Sequence, residues 1–403
     1  MQQLKIGILR EGKVPPDNRT PLTPRQCFEL KENHTGLEIF VEWSPVRCYT
    51  DDDYRKFGIE VCESVEGCDL LLGIKEVPVN KLIAGKTYMF FSHTIKKQPY
   101  NRKLLQTILQ KNIRLIDLEL LTDDNGTRLI GFGRWAGIVG AHYALLMLGK
   151  RTGAYELRAA KDCVNLQELV DQYHNIQFPA AKFVITGGGR VANGALEIMK
   201  QAEILAVSKE DFCHKTFDEP VFVQLHSDDL YERIDGEPFD KKHFYRNPNM
   251  YKSAFAPYAK CTDVLINCMY WDPNAPQLFQ KNAVIDENFK MLTISDVSCD
   301  INGSVPLTTQ ETSIQDPVFG YHRNDGRIGK PYQADTVDVM AVPNLPNELP
   351  RDASRDFGVV MLETIIPRYL QDTDSNIFAR ATIAENGKLK DRFDYLQDFA
   401  DGK

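Results

Sequence analysis

No cysteine pair in this 403-residue chain has C-x-x-C spacing, although nine cysteines are present. That scatter gives neither a zinc layout nor a disulfide framework, so a reduced, cytoplasmic protein without a structural metal is expected. No apolar run approaches the length of a membrane span, and residues 1–10 lack the charged-then-apolar layout of a signal peptide. A long basic run is missing too: 48 Lys and Arg face 56 Asp and Glu, for a net charge of -8. Nucleic acid and membrane surfaces are therefore poor partners. An acidic ligand would need a local cluster of arginines. Internal repeats and low-complexity tracts are also absent. With 43% hydrophobic and 26% charged residues, the composition is that of an ordinary globular protein long enough for two domains.

What is present centres on residues 181–212. The apolar, β-branched run 183–186 reads as a buried parallel strand. Gly187, Gly188 and Gly189 follow it, and Val191, Ala195, Leu196, Ile198 and Met199 then recur at helical spacing. A second apolar run, 204–207, reads as the next strand, which completes a βαβ unit with Gly187-x-Gly189-x-x-Ala192 in its first turn. Gly187 permits the tight turn, Gly189 lets a pyrophosphate approach the backbone, and small Ala192 lets the helix pack on the strand. The anion would sit on the unpaired N–H groups that open the helix, beside Arg190 and Val191. A glycine fingerprint alone is weak; the flanking strand and helix turn it into an expectation of dinucleotide binding.

Ahead of this unit, three apolar strands each end on titratable side chains. Residues 69–78 end on Lys75-Glu76, 87–95 on Ser92-His93, and 113–120 on Asp117 and Glu119. Ligands of open α/β sheets bind beyond the carboxyl ends of the strands, so these groups are expected to share one cleft. Thr23-Pro24 marks a helix start, and residues 141–149 a long apolar helix. The segment 212–259 is polar and rich in turn formers and reads as an excursion between strands. Further strands are expected at 263–269, 292–297 and 337–342, with helical periodicity over 352–370. The fold class is α/β, with two Rossmann-like domains, parallel sheets and a cleft between them. Residues 1–145 plus 346–403 would form a substrate domain and 146–345 a dinucleotide-binding domain.

Several stretches together carry a resemblance: Arg19-Thr20-Pro21-Leu22-Thr23-Pro24, Gly73-Ile74-Lys75-Glu76, Ser92-His93-Thr94-Ile95-Lys96, Gly133-Arg134-Trp135-Ala136-Gly137, Asn267-Cys268-Met269-Tyr270-Trp271 and Asp296-Val297-Ser298-Cys299-Asp300. The sequence resembles the alanine dehydrogenase / transhydrogenase superfamily. Within it, the likeness is to saccharopine dehydrogenase of the lysine-forming type and to the lysine–ketoglutarate reductase domain of bifunctional enzymes. The resemblance implies NAD(P)-dependent interconversion of saccharopine with lysine and 2-oxoglutarate. Lys75 and His93 then match the family's acid–base pair, with Glu76 and Glu119 tuning them. Without the resemblance two readings stay open: an acid–base set, or a solvated Lys75–Glu76 pair beside a satisfied core histidine.

The resemblance also implies that Arg19, with Asp17 beside it, binds a substrate carboxylate, and Arg128 and Arg134 are further candidates. Gly187, Gly189, Arg190, Val191 and Ala192 would hold the dinucleotide, with Cys268 near the nicotinamide and Asp300 at a family aspartate. Two departures stand out. No acid follows the strand at 204–207, where Ser208-Lys209 suit a 2′-phosphate and Glu210 keeps NAD open, so the cofactor is NAD or NADP. Pro343 stands where the family often has Asp, and Val191 replaces a fungal cysteine, which excludes a disulfide there. Competing readings are an alanine-dehydrogenase-like enzyme and a non-catalytic NAD(P)-binding protein. The flux direction and the oligomeric state are not legible in the residues.

Overall fold

Apolar runs without alternation need cover on both faces, and the chain meets that need with helices packed on two parallel sheets. The computed structural model describes residues 4–403. They divide into two compact units, residues 4–132 with 350–403, and residues 133–349.

The first unit opens with strands β1 (Leu4–Ile8), β2 (Leu37–Glu42), β3 (Glu60–Cys62), β4 (Leu70–Leu72), β5 (Thr87–Phe90) and β6 (Arg114–Asp117). All pair in parallel, in the spatial order β3-β2-β1-β4-β5-β6. That is the doubly wound order, with a switch point between β1 and β4. Side chains alternate across the sheet: Leu70 and Leu72 enter one core with Ile6 and Ile8, while Leu71 enters another with Tyr88 and Phe90. The helix Pro24–Asn33 starts as expected, Thr23 and Gln26 forming a reciprocal capping box.

The second unit holds β7 (Lys182–Thr186), β8 (Leu205–Ala206), β9 (Val221–Leu225), a small hairpin of β10 (Tyr231–Arg233) and β11 (Tyr251–Ser253), β12 (Val264–Asn267), β13 (Thr293–Asp296), β14 (Val318–His322), β15 (Ile328–Gly329) and β16 (Thr336–Met340). Its main sheet runs β15-β14-β16-β13-β12-β7-β9-β8, antiparallel only at β14 and β15. Here the sequence reading needs a correction. The run 204–207 contributes only two strand residues, and they lie at the sheet edge with Leu205 57% exposed. The place beside β7 is taken by β9, inside the supposed excursion 212–259, where Val221, Val223 and Leu225 are buried. The chain then returns to the first unit, where β17 (Thr382–Glu385) and β18 (Lys388–Leu389) extend its sheet antiparallel from β6.

The apolar helix is longer than its hydrophobic run and spans Gly133–Thr152. It crosses the helix Arg190–Gln201 at backbone contact. A Cβ on Gly137 would fall 1.8 Å from the Val191 carbonyl oxygen, and one on Gly194 2.0 Å from that of Arg134. Neither neighbour is a side chain able to swing away. Gly137→Ala is therefore expected to destabilise the second unit by about 3 kcal/mol or more, read as a lowered urea midpoint; a midpoint equal to that of the unaltered chain would contradict the packing.

Candidate functional site

Strands β4 and β5 stop short of their apolar runs because carboxylates take the backbone N–H groups that would continue the ladder. Past β4, the N–H groups of Ile74 and Lys75 donate to the two oxygens of Glu11, at 2.6 and 2.9 Å. Past β5, Ser92 N–H and hydroxyl both donate to Asp117 Oδ2, and Glu119 N–H donates to Asp117 Oδ1 at 2.7 Å. His93 is thereby held in the left-handed region, φ 52° and ψ 13°, a conformation that costs a non-glycine residue about 1 kcal/mol.

These turns bring Lys75, Glu76 and His93 together in the first unit. His93 Nδ1 lies 2.5 Å from Glu76 Oε1, and Lys13 Nζ donates to Glu76 Oε2 at 3.3 Å. Burial works against the Glu76 charge, but the His93 hydrogen bond, with the charges of His93 and Lys13, prevails and brings its pKa down to about 2. Lys75 is half-buried; lost hydration, then the Arg19 charge, pulls its ammonium down to about 8, with Asp17 opposing. Glu11 is pushed the other way, to about 7, by its removal from water and by Asp17. Sequence reasoning missed Glu11 as a site residue, because its bonds are to backbone 63 and 64 residues away.

Arg19 and Asp17 are both buried and face each other in a bidentate pair, Nε to Oδ1 at 2.9 Å and Nη2 to Oδ2 at 2.6 Å. The guanidinium lies 4.1 Å from the Phe132 ring centre, and Phe132 stacks on Phe357. Glu119 pairs with Arg128 at 3.1 Å and lies 3.8 Å from Lys96. Arg134 belongs to the second unit, where its fork closes on Glu197 at 2.9 and 2.6 Å.

In the second unit the glycine turn leaves its backbone open at one position. Gly187 has φ +87°, and a Cβ on Gly189 would meet nothing within 4 Å, which leaves the backbone open to a phosphate. A cavity of about 850 Å³ adjoins Gly187, Gly189, Arg190, Val191 and Cys268. Ala192, in the first turn of the helix Arg190–Gln201, is buried. Behind the turn, Thr186 hydroxyl donates to Asn267 Oδ1 at 2.7 Å, and Asn267 donates to buried Asp296 at 2.8 Å. Burial raises the Cys268 thiol far above its ordinary value. Asp300 is exposed in the loop after β13. Ser208 caps the short helix Lys209–His214, Lys209 pairs with Asp229, and neither lines the cavity. No helix among the described residues is long and apolar enough to cross a membrane.

Residues 7–139 match the family described as alanine dehydrogenase/PNT, N-terminal domain. The chain is 30% identical to the alpha-aminoadipic semialdehyde synthase of Arabidopsis thaliana, across 97% of this chain and 41% of that protein. It is 28% identical to the mitochondrial synthase of Mus musculus, across 99% and 48%. The chain thus spans less than half the length of these relatives. It is also 25% identical to the saccharopine dehydrogenase [NAD(+), L-lysine-forming] of Yarrowia lipolytica, across 92% of this chain and 94% of that one. Among solved structures an L-alanine dehydrogenase superposes with TM-score 0.66 at 17% identity, covering 99% of each chain. A transhydrogenase from Sinorhizobium meliloti gives 0.63 at 12% identity, covering 96% of this chain and all of that one. Both share the two-sheet α/β fold.

Glu11→Ala would leave the two N–H groups of the Lys75 turn without their acceptor, and a loss of about 2–4 kcal/mol is expected, seen as a lower urea midpoint. Glu11→Gln keeps one oxygen and should lose less; two variants as stable as the parent would remove Glu11 from this role. Because the folded value of Glu76 lies below the ordinary 4.5, its pairing adds stability above about pH 4.5 and loses it as pH falls toward about 2. Acid unfolding of Glu76→Gln is accordingly expected to depend less steeply on pH over that window.

Proposed function

We propose, for a chain homologous over nearly its whole length to the lysine-forming saccharopine dehydrogenases and bearing the alanine dehydrogenase/PNT N-terminal domain, NAD(P)-dependent interconversion of saccharopine with lysine and 2-oxoglutarate. One observation carries the reading: a half-buried lysine pulled to about 8 stands in one charge cluster with a Glu76–His93 pair. Such a lysine exchanges protons near neutral pH, where acid–base catalysis is most effective. The homology is to oxidoreductases, and the glycine turn fits the nicotinamide dinucleotide they require.

In the oxidative direction saccharopine, NAD(P)⁺ and water give lysine, 2-oxoglutarate, NAD(P)H and a proton. The bound nicotinamide supplies the hydride acceptor. The remaining work falls to side chains of the first unit. Neutral Lys75 takes the proton from the secondary amine of the substrate, leaving its lone pair free to form the imine as hydride departs. His93, held by Glu76, takes a proton from the water that adds to the imine carbon and returns one to the lysine nitrogen as the C–N bond breaks. Arg19, balanced by Asp17, orients a substrate carboxylate; Glu119 and Arg128 shape the cluster's charge. Nine cysteines without C-x-x-C spacing suit a reducing compartment such as the cytoplasm, whereas the animal relatives are named as mitochondrial.

The test follows the absorbance of reduced nicotinamide with lysine plus 2-oxoglutarate, and separately with pyruvate plus ammonia, against NADH and NADPH. Turnover only with lysine and 2-oxoglutarate is expected; turnover only with pyruvate and ammonia would move the enzyme to the alanine dehydrogenase reaction. In the oxidative direction kcat/KM should rise with pH through about 8 as Lys75 loses its proton. Lys75→Met is expected to abolish that limb and to cut kcat by about a hundredfold or more. An unchanged profile in this variant would sink the assignment of Lys75.

A further inference from the structure

Given dinucleotide binding by the second unit, its strand order relocates the residues that read the adenosine ribose. In the usual arrangement the strand after the glycine helix lies beside the glycine strand, and its terminal residue meets the 2′ position. Here β8 follows the glycine helix but pairs only with β9, and β9 alone separates it from β7. At roughly 4.8 Å per strand, the end of β8 stands about 10 Å from the glycine strand and the end of β9 about 5 Å.

The residues that follow β9 are His226, Ser227, Asp228 and Asp229. The His226 ring lies against the glycine turn, so close that a Cβ on Gly188 would fall 2.7 Å from its Nδ1. Gln224, on β9 itself, donates to the Gly187 carbonyl at 2.9 Å. His226, Ser227 and Asp228 line the cavity together with Arg190 and Lys241. Asp229 is committed elsewhere: one oxygen accepts His226 N–H at 2.8 Å and the other pairs with Lys209. Ser208 accepts from Asp211 N–H at 3.0 Å as a helix cap.

We propose that the turn after β9, and not Ser208-Lys209, reads the ribose 2′ position, and that His226, with Arg190 and Lys241, selects a dinucleotide carrying a 2′-phosphate. His226 holds the strand-end position where an acid would bind a free 2′-hydroxyl. Asp228 is the single carboxylate among the lining residues, against three nitrogen donors. A 2′-phosphate offers those donors charge-assisted hydrogen bonds that a hydroxyl does not.

The experiment titrates NADPH and NADH into the full chain without substrate, following nicotinamide fluorescence, so that it needs no turnover. The unaltered chain is expected to bind NADPH more tightly. His226→Asp should weaken NADPH by about tenfold or more while NADH binding is kept or improved, which also reports an intact fold. His226→Gln should weaken NADPH alone, without adding charge, and Lys209→Ala should leave the preference unchanged. Tighter NADH binding by the unaltered chain overturns the proposal. So does a preference that collapses in Lys209→Ala and survives in both His226 variants. NADPH binding of the expected kind in a chain that turns over no lysine and 2-oxoglutarate would defeat the catalytic reading and leave this one standing.

Discussion

The titratable cluster of the first unit depends on one interaction: the Glu11 carboxylate closing on the backbone N–H groups of Ile74 and Lys75. Those two bonds end β4, turn the chain out of the sheet and bring Lys75 and Glu76 beside the charges that set their protonation. A carboxylate withdrawn from water is costly unless hydrogen-bonded, so the same bonds that shape the turn also make Glu11 tolerable there. Asp117 repeats the device one strand further along, taking the N–H groups of Ser92 and Glu119. Two side-chain acceptors thus do what a longer β-ladder would have prevented.

The electrostatics of the cluster follow from partial compensation. Burial first depresses Lys75 and raises Glu11; although Asp17 pairs with Arg19, the Arg19 charge adds to the first shift and the Asp17 charge to the second. Lys75 and Glu11 are therefore displaced toward the same neutral region from opposite sides. Glu76 escapes this fate only because His93 and Lys13 lie within bonding distance. Groups displaced in this way by burial and by specific charge partners are candidates for proton transfer.

Much of this was legible in the residues. Continuous apolar runs identified most core strands, Thr23-Pro24 marked its helix start, and the glycine turn announced its own geometry. Three things were not legible, each for a physical reason. Strand ends were set too late, because a carboxylate distant in sequence and not a turn residue terminates the ladder. Strand β9 was hidden, since Val-Phe-Val-Gln-Leu sits among polar turn formers and its burial is conferred by β7 and β8. Arginine partners were invisible: the Arg134–Glu197 pair spans 63 residues, and nothing local to Arg134 distinguishes a closed fork from one that awaits a ligand.

Both sheets also end in a shared way. Their outermost strands, β18 and β3 in one and β15 and β8 in the other, are only two or three residues long. A foreign strand laid along any of these edges would find backbone partners for two or three residues and then a turn or a capped helix. Long, flat, unpaired edges are what seed edge-to-edge aggregation. Truncated margins leave the sixteen strands of the two open sheets, among the described residues, with little edge for such pairing, without closing either sheet into a barrel.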